Sequence, residues 1–142
     1  MKLANNLTFE SMLDTLETHL NCKYNSYQRH ELECGFEKGI DINKYANSAL
    51  SNTHMHGIRR ALEYNVDISK YINPNCLPQF VEIVSDLAIF GEDIENFVSN
   101  SRLDIERMLS TYNYHLQRRS VRPLDRIIQN AIIGASLYYV RD

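Results

Sequence analysis

The chain has 142 residues, 44% hydrophobic and 23% charged, the composition of one soluble globular domain. It contains no 18-residue apolar run, which excludes a membrane-spanning helix, and the opening MKLANNLTFESMLD lacks the apolar core expected of a secretory signal. The net charge of −3 is unevenly spread: residues 1–100 balance at −6 and residues 101–142 at +3, with every late cation an arginine, as in a body with an oriented interaction surface.

Taken in order, Phe9, Met12, Leu13, Leu16 and Leu20 form one apolar stripe, which predicts a first helix over 8–20 with Thr8 as its N-cap. Residues 21–27 read as a polar connection. From Gln28 onward a pattern returns at a fixed step of 26 residues: Gly39-Ile40-Asp41-Ile42-Asn43-Lys44-Tyr45-Ala46, then Asn65-Val66-Asp67-Ile68-Ser69-Lys70-Tyr71-Ile72, then Gly91-Glu92-Asp93-Ile94-Glu95-Asn96-Phe97-Val98. Such a period marks a repeat architecture. Each copy is expected to hold a longer helix (28–38, 53–64 and 78–90), a left-handed stop at Gly39, Asn65 or Gly91, and a short helix N-capped by Asp41, Asp67 or Asp93. Leu32, Ile58 and Val84 superpose on the period, as do Phe36, Leu62 and Ala88. Beside them Gly35, Ala61 and Leu87 grow as that second series shrinks, so volume is conserved in a shared core. After Asn100 the period is lost. A helix over 101–116 starting at Ser101, a basic link through Arg122, and a long apolar helix over 123–140 opened by Pro123 complete the expectation.

The fold predicted is therefore all-α: a short solenoid-like array of three helix-turn-short-helix repeats in a single domain spanning residues 1–142. Residues 1–27 supply the N-terminal cap helix and link, 28–100 the repeats, and 101–142 the C-terminal helices with their basic link. The stripe of Leu124, Ile127, Ile128, Ala131, Ile132, Ala135, Tyr138 and Tyr139 on the last helix, extended by Ile133 and Leu137, serves either to cap the array or to join a second copy in a homodimer.

Segments Gly35-Phe36-Glu37-Lys38-Gly39-Ile40-Asp41-Ile42 with Tyr45-Ala46, and Ala61-Leu62-Glu63-Tyr64-Asn65-Val66-Asp67-Ile68-Ser69 with Tyr71 and Pro74, carry a resemblance. They are similar to short tandem helical-repeat modules of phage and other bacterial mobile-element proteins. The resemblance covers about residues 28–100 and implies an all-helical scaffold with no catalytic site, used to bind another macromolecule.

The candidate sites are few. Asp41, Asp67 and Asp93 are explained as helix caps rather than as a ladder of ligands. His54 and His56 stand at i and i+2, which point to different sides of a helix, so a shared metal is not expected. His19 and His115 are lone. Cys22, Cys34 and Cys76, odd in number and without C-x-x-C spacing, suggest reduced thiols in a cytoplasmic setting, and no motif supplies a base or oxyanion donors to Cys34 or Cys76. Neither a phosphate loop nor a nucleotide fingerprint is present, so neither an enzyme nor a cofactor is expected. The arginines are the informative polar set: Arg118, Arg119, Arg122 and Arg126 cluster around the last link, and Arg59 and Arg60 form a pair in the second repeat. Guanidinium groups bind carboxylates and phosphates bidentately. Three uses stay open for them: pairing with the chain's own acidic repeats or a second subunit, binding another protein, or binding nucleic acid. The leading expectation is a non-catalytic protein-binding repeat protein. By analogy with mobile-element proteins it would inhibit a host defence factor, in the manner of an anti-CRISPR protein. The alternative is a nucleic-acid-associated protein acting through the C-terminal arginines.

Overall fold

The computed structural model describes residues 8–119 and 122–136. Six α-helices dominate the described residues: α1 (Phe9–Leu20), α2 (Ser26–Glu37), α3 (Asn52–Leu62), α4 (Pro78–Ile89), α5 (Ile105–Arg118) and α6 (Arg126–Ser136). Short 3-10 turns follow α2, α3 and α4 at Ile42–Lys44, Ser69–Tyr71 and Ile94–Phe97. Helix α3 packs between α2 and α4, α5 packs on α4, and α6 rests on both α4 and α5. One hydrophobic cluster runs from Phe9 through to Ile132.

The stops after α2, α3 and α4 share one geometry. Gly39, Asn65 and Gly91 have φ of 75°, 66° and 102°. The next residue in each case sends its N–H back across the helix end: Ile40 to the Gly35 carbonyl at 2.9 Å, Val66 to Ala61 at 3.0 Å, and Glu92 to Leu87 at 2.9 Å. This bond satisfies carbonyls that a helix end would otherwise leave bare. The aspartate after each stop then holds the following turn. Asp41 accepts from the Asn43 N–H at 3.1 Å, Asp67 from Ser69 at 2.9 Å, and Asp93 from Glu95 at 3.1 Å. Ile42, Ile68 and Ile94 and the aromatic residues Tyr45, Tyr71 and Phe97 are all buried behind these turns, and Leu32, Ile58 and Val84 are each fully enclosed.

Several expectations are corrected. Helix α2 starts at Ser26, because Asn25, in the stretch read as a connection, forms a reciprocal capping box with Gln28. Leu20, assigned to the first apolar stripe, is 47% exposed, and Glu17 is buried in its place. No helix begins at Ser101. Asn100 and Ser101 both adopt left-handed backbone, with φ of 54° and 60°, and join two-residue strands β1 (Val98–Ser99) and β2 (Arg102–Leu103) in a tight antiparallel hairpin. Positive φ at both turn residues gives the twist that a two-residue hairpin requires. Asp104, whose carboxylate accepts from the Arg107 N–H at 3.1 Å, then caps α5. Pro123 likewise lies outside a helix: Asp125 caps α6 by accepting from the Ile127 N–H at 2.9 Å. Within the described residues α6 runs 11 residues, with Ile132 buried but Ile127 77% and Ile128 38% exposed, so the broad apolar stripe is not buried as a whole. Leu137, Tyr138 and Tyr139 lie outside the described residues.

Ser85 sits fully buried in the middle of α4, and its hydroxyl has no hydrogen-bond partner among the described residues. Desolvating a hydroxyl without a bond costs free energy. Ser85→Ala should therefore raise stability by about 1 kcal/mol in a urea titration; a loss would show that the hydroxyl is satisfied in solution.

Candidate interaction surface

The late arginines lie at the C-terminal end of α5 and around the start of α6. Ile105, Met108, Leu109 and Tyr112 turn one face of α5 into the core, which leaves Tyr114 and Arg118 outward, one helical turn apart. Arg118 donates to the Tyr114 hydroxyl at 3.2 Å and lies over its ring at 5.4 Å. Arg119 lies over the Phe90 ring at 4.4 Å, with His115 stacked on the same ring at 4.7 Å. The start of α6 is anchored by the Leu124 N–H, which donates to the Asn113 side chain at 2.8 Å. Arg122 and Arg126 are exposed, and beside Arg126 stand the exposed Ile127 and Ile128. Among the described residues Arg118, Arg119, Arg122 and Arg126 form no ion pair with a carboxylate. Exposed arginine, tyrosine and isoleucine on one end of a molecule are the side chains that protein interfaces favour.

The earlier arginine pair is placed differently. Arg59 is directed into the chain: its Nε donates to Glu31 at 2.9 Å, its Nη1 to Glu63, and its Nη2 lies 3.1 Å from His56 Nδ1. Both Arg59 and Glu31 are about 10% exposed at their side chains, so Arg59 is a buried structural cation rather than an outward anchor. Arg60 is part-exposed and pairs with Asp86 at 3.0 Å, while the other Asp86 oxygen accepts from the Tyr112 hydroxyl at 2.9 Å. Burial, and then the nearby Asp86 carboxylate, push the Tyr112 phenol well above its ordinary value, so it remains a donor.

The other singled-out residues also turn inward or sideways. The two histidine rings diverge. His54 accepts from the Ser51 N–H at Nδ1, 3.1 Å, and donates from Nε2 to the Cys76 carbonyl at 2.9 Å; His56 faces Glu31 and Arg59. No group of three or more His, Cys, Asp or Glu suited to a metal ion occurs among the described residues. Cys34 Sγ lies 3.5 Å from His30 Nε2 on the surface of α2, and Cys76 is buried.

A second surface lies along the stops. A groove of about 560 Å³ is lined by Lys38, Gly39, Asp41, Leu62, Glu63 and Asp67, among others, and a further one of about 480 Å³ runs from Asp67 to Glu95. Successive turns are tied across these grooves by Lys38–Glu63 at 3.2 Å, Lys44–Asp67 at 3.3 Å, and Lys70–Glu95. The last two ties favour the charged carboxylates of Asp67 and Glu95. Lys70 first, and then the Tyr71 hydroxyl, set Glu95 below the usual carboxylate range. For Asp67, burial pushes upward, but the bonds from Ser69 and Lys44 outweigh it and the net shift is downward.

Sequence reasoning missed the buried polar groups. Gln28 donates through Nε2 to the Ser48 and Leu50 carbonyls at 2.9 and 2.7 Å, and the spacing Asn25-x-x-Gln28 was the signal for its capping role. Glu17 accepts from the Tyr24 N–H at 3.0 Å, a bond that lowers its pKa, and no local pattern announces it. A carboxyl with a lowered folded pKa contributes stability that is complete above its ordinary titration range and lost as pH falls through the folded value. The chain should lose stability as pH falls below the ordinary carboxylate range. In Glu17→Gln that acid dependence should be shallower in urea midpoints measured across pH; an unchanged slope would remove Glu17 from the cause.

No protein-family model, curated protein or solved structure matches the chain.

Proposed function

We propose that residues 28–100 constitute a three-turn solenoid-like array, closed by α1 at one end and by α5 and α6 at the other. On this reading the chain works without catalysis, by binding another protein. Support for the array comes from the three equivalent stops, the three aspartates that accept from the N–H two residues on, and the enclosed core positions, all at a step of 26 residues. The binding role rests on one observation. All seven Lys and Arg between residues 23 and 70 pair with a carboxylate of the same chain, whereas Arg118, Arg119, Arg122 and Arg126 do so nowhere among the described residues. The acidic body thus satisfies its own cations, and the arginine end is left for a partner with an acidic surface. Resemblance to repeats of phage and mobile-element proteins makes a bacterial host factor, such as a component of a CRISPR defence system, the first partner to test, with the chain as its inhibitor.

Nucleic acid is the second reading, favoured by Tyr114 beside Arg118 as a stacking and phosphate-binding pair. A titration of generic duplex and single-stranded DNA against salt separates the two. Protein binding predicts no association with either DNA at low salt. A complex whose affinity falls steeply with added salt would transfer the function to nucleic acid.

A further inference from the structure

The two grooves along the stops are built alike. Ile40, Leu62 and Asp67 of the first return at the step of 26 as Val66, Ala88 and Asp93 of the second, and Asp67 lines both, so the two adjoin there. Ile40, Leu62 and Val66 are half-buried and give the strip an apolar floor. Among the described lining residues its walls are acidic: Asp41, Glu63, Asp67, Glu92, Asp93 and Glu95 outnumber Lys38 and Lys70. Asp41, Asp67 and Asp93 are exposed, one to each turn. Asp67 shows what such a carboxylate takes. Its Oδ1 accepts from the Ser69 N–H at 2.9 Å, and its Oδ2 meets the Lys44 ammonium at 3.3 Å. Asp41 and Asp93 use Oδ1 for the same turn bond, each at 3.1 Å. Spacing then selects the occupant. Packed helices stand about 8–10 Å apart, which sets the step of the strip. A β-strand returns a side chain to one face about every 6.7 Å, which is too short. An α-helix does so about every 5.4 Å, too short over one turn and too long over two. Polyproline II has three residues per turn and rises about 9 Å in that turn, which keeps step.

We infer that this strip is a second docking surface, and that its occupant is an extended basic segment of another protein, in polyproline II form, with Lys or Arg at every third residue. One cation of the segment meets one aspartate of each turn, and the residues between lie on the apolar floor. The Lys44–Asp67 tie is exposed and weak, so an incoming guanidinium takes its place at little cost. The inference rests on the array reading given above and makes no use of the late arginines.

Fluorescence anisotropy of the natural chain with a labelled peptide of repeated Arg-Pro-Pro triplets, at about 50 mM salt, tests it. A peptide of the same composition with its arginines in one block is the control. The triplet peptide should bind at least about tenfold more tightly, because linked contacts reinforce one another only when their spacing matches the sites. The Asp41→Asn/Asp67→Asn/Asp93→Asn variant keeps the side-chain oxygen that holds each turn and removes its charge. It should lower the affinity for the triplet peptide by at least about tenfold with little change in the urea midpoint. No binding of the triplet peptide overturns the inference, as do equal affinities for the two peptides, affinity unchanged in the triple variant, or equally tight binding of Glu-Pro-Pro triplets. A chain self-associated through this strip would make a second copy its occupant and overturn it too. The comparison of peptides needs no variant, so it stands even if the triple variant fails to fold. Arginine peptides carry no carboxylate side chain for the arginine end, so their failure leaves the reading of that end to its own test.

Discussion

Arg59→Met should destabilise the chain by roughly 3–5 kcal/mol, since removing one partner strands a buried charge. Glu31 is the group stranded. Its side chain is about 10% exposed, and Arg59 Nε at 2.9 Å is its closest cation. The nearest other basic group, His56, lies 3.4 Å away and is half exposed. The loss belongs to the unpaired carboxylate rather than to the ion pair as such. A well-packed apolar pair in place of a buried ion pair is commonly neutral or stabilising. Glu31→Leu combined with Arg59→Met should therefore recover most of the stability lost by Arg59→Met alone. Urea titrations of the two single variants and the double variant complete the cycle. Equal losses in the Arg59→Met and double variants would show that Glu31 is not the source.

Gly35→Ala has the second large effect. A Cβ at Gly35 would stand 2.0 Å from the Tyr45 hydroxyl oxygen and 3.1 Å from the Ile42 side chain. Tyr45 is 1% exposed and donates that hydroxyl to the Glu31 carbonyl at 2.7 Å, so the ring cannot swing aside without breaking a buried bond. Overpacking plus a broken bond should cost about 2–4 kcal/mol. Tyr45→Phe removes the clashing atom. In the Gly35→Ala background it should cost less than it does alone, and a simple sum of the two losses would refute the clash. The counterpart positions hold Ala61 and Leu87, both fully buried, so the small residue is demanded only where Tyr45 reaches across.

These two sites mark what was legible in the sequence. The stops at Gly39, Asn65 and Gly91 and the caps at Asp41 and Asp93 follow from backbone chemistry within four residues, and so could be read directly, whereas the second turn has Ile68 as its N-cap and Asp67 only accepts from the Ser69 N–H. The enclosed series Leu32, Ile58 and Val84 needed only periodicity. The Asn100-Ser101 hairpin was hidden because serine is also a favoured helix cap, and strands of two residues carry no alternation to count. Asp125 was overlooked because Pro123 is an equally good helix opener on paper, and the choice depended on where Asn113 ties Leu124. Arg59 was the hardest to read. Its partner Glu31 lies 28 residues away, and no local pattern distinguishes it from its neighbour Arg60, which points outward far enough to meet Asp86. For Arg118, Arg119, Arg122 and Arg126 the charge asymmetry was visible in the sequence, but that they form no ion pair among the described residues needed the folded chain.

The claim that the arginine end is the working surface is tested most directly by affinity capture from a bacterial lysate, comparing the natural chain with the Arg118→Glu/Arg122→Glu/Arg126→Glu variant. All three residues are exposed and none is ion-paired among the described residues, so the variant should fold with an unchanged urea midpoint. The expected result is a stoichiometric protein complex on the natural chain that is absent from the variant. The same complex recovered equally on both would contradict the account.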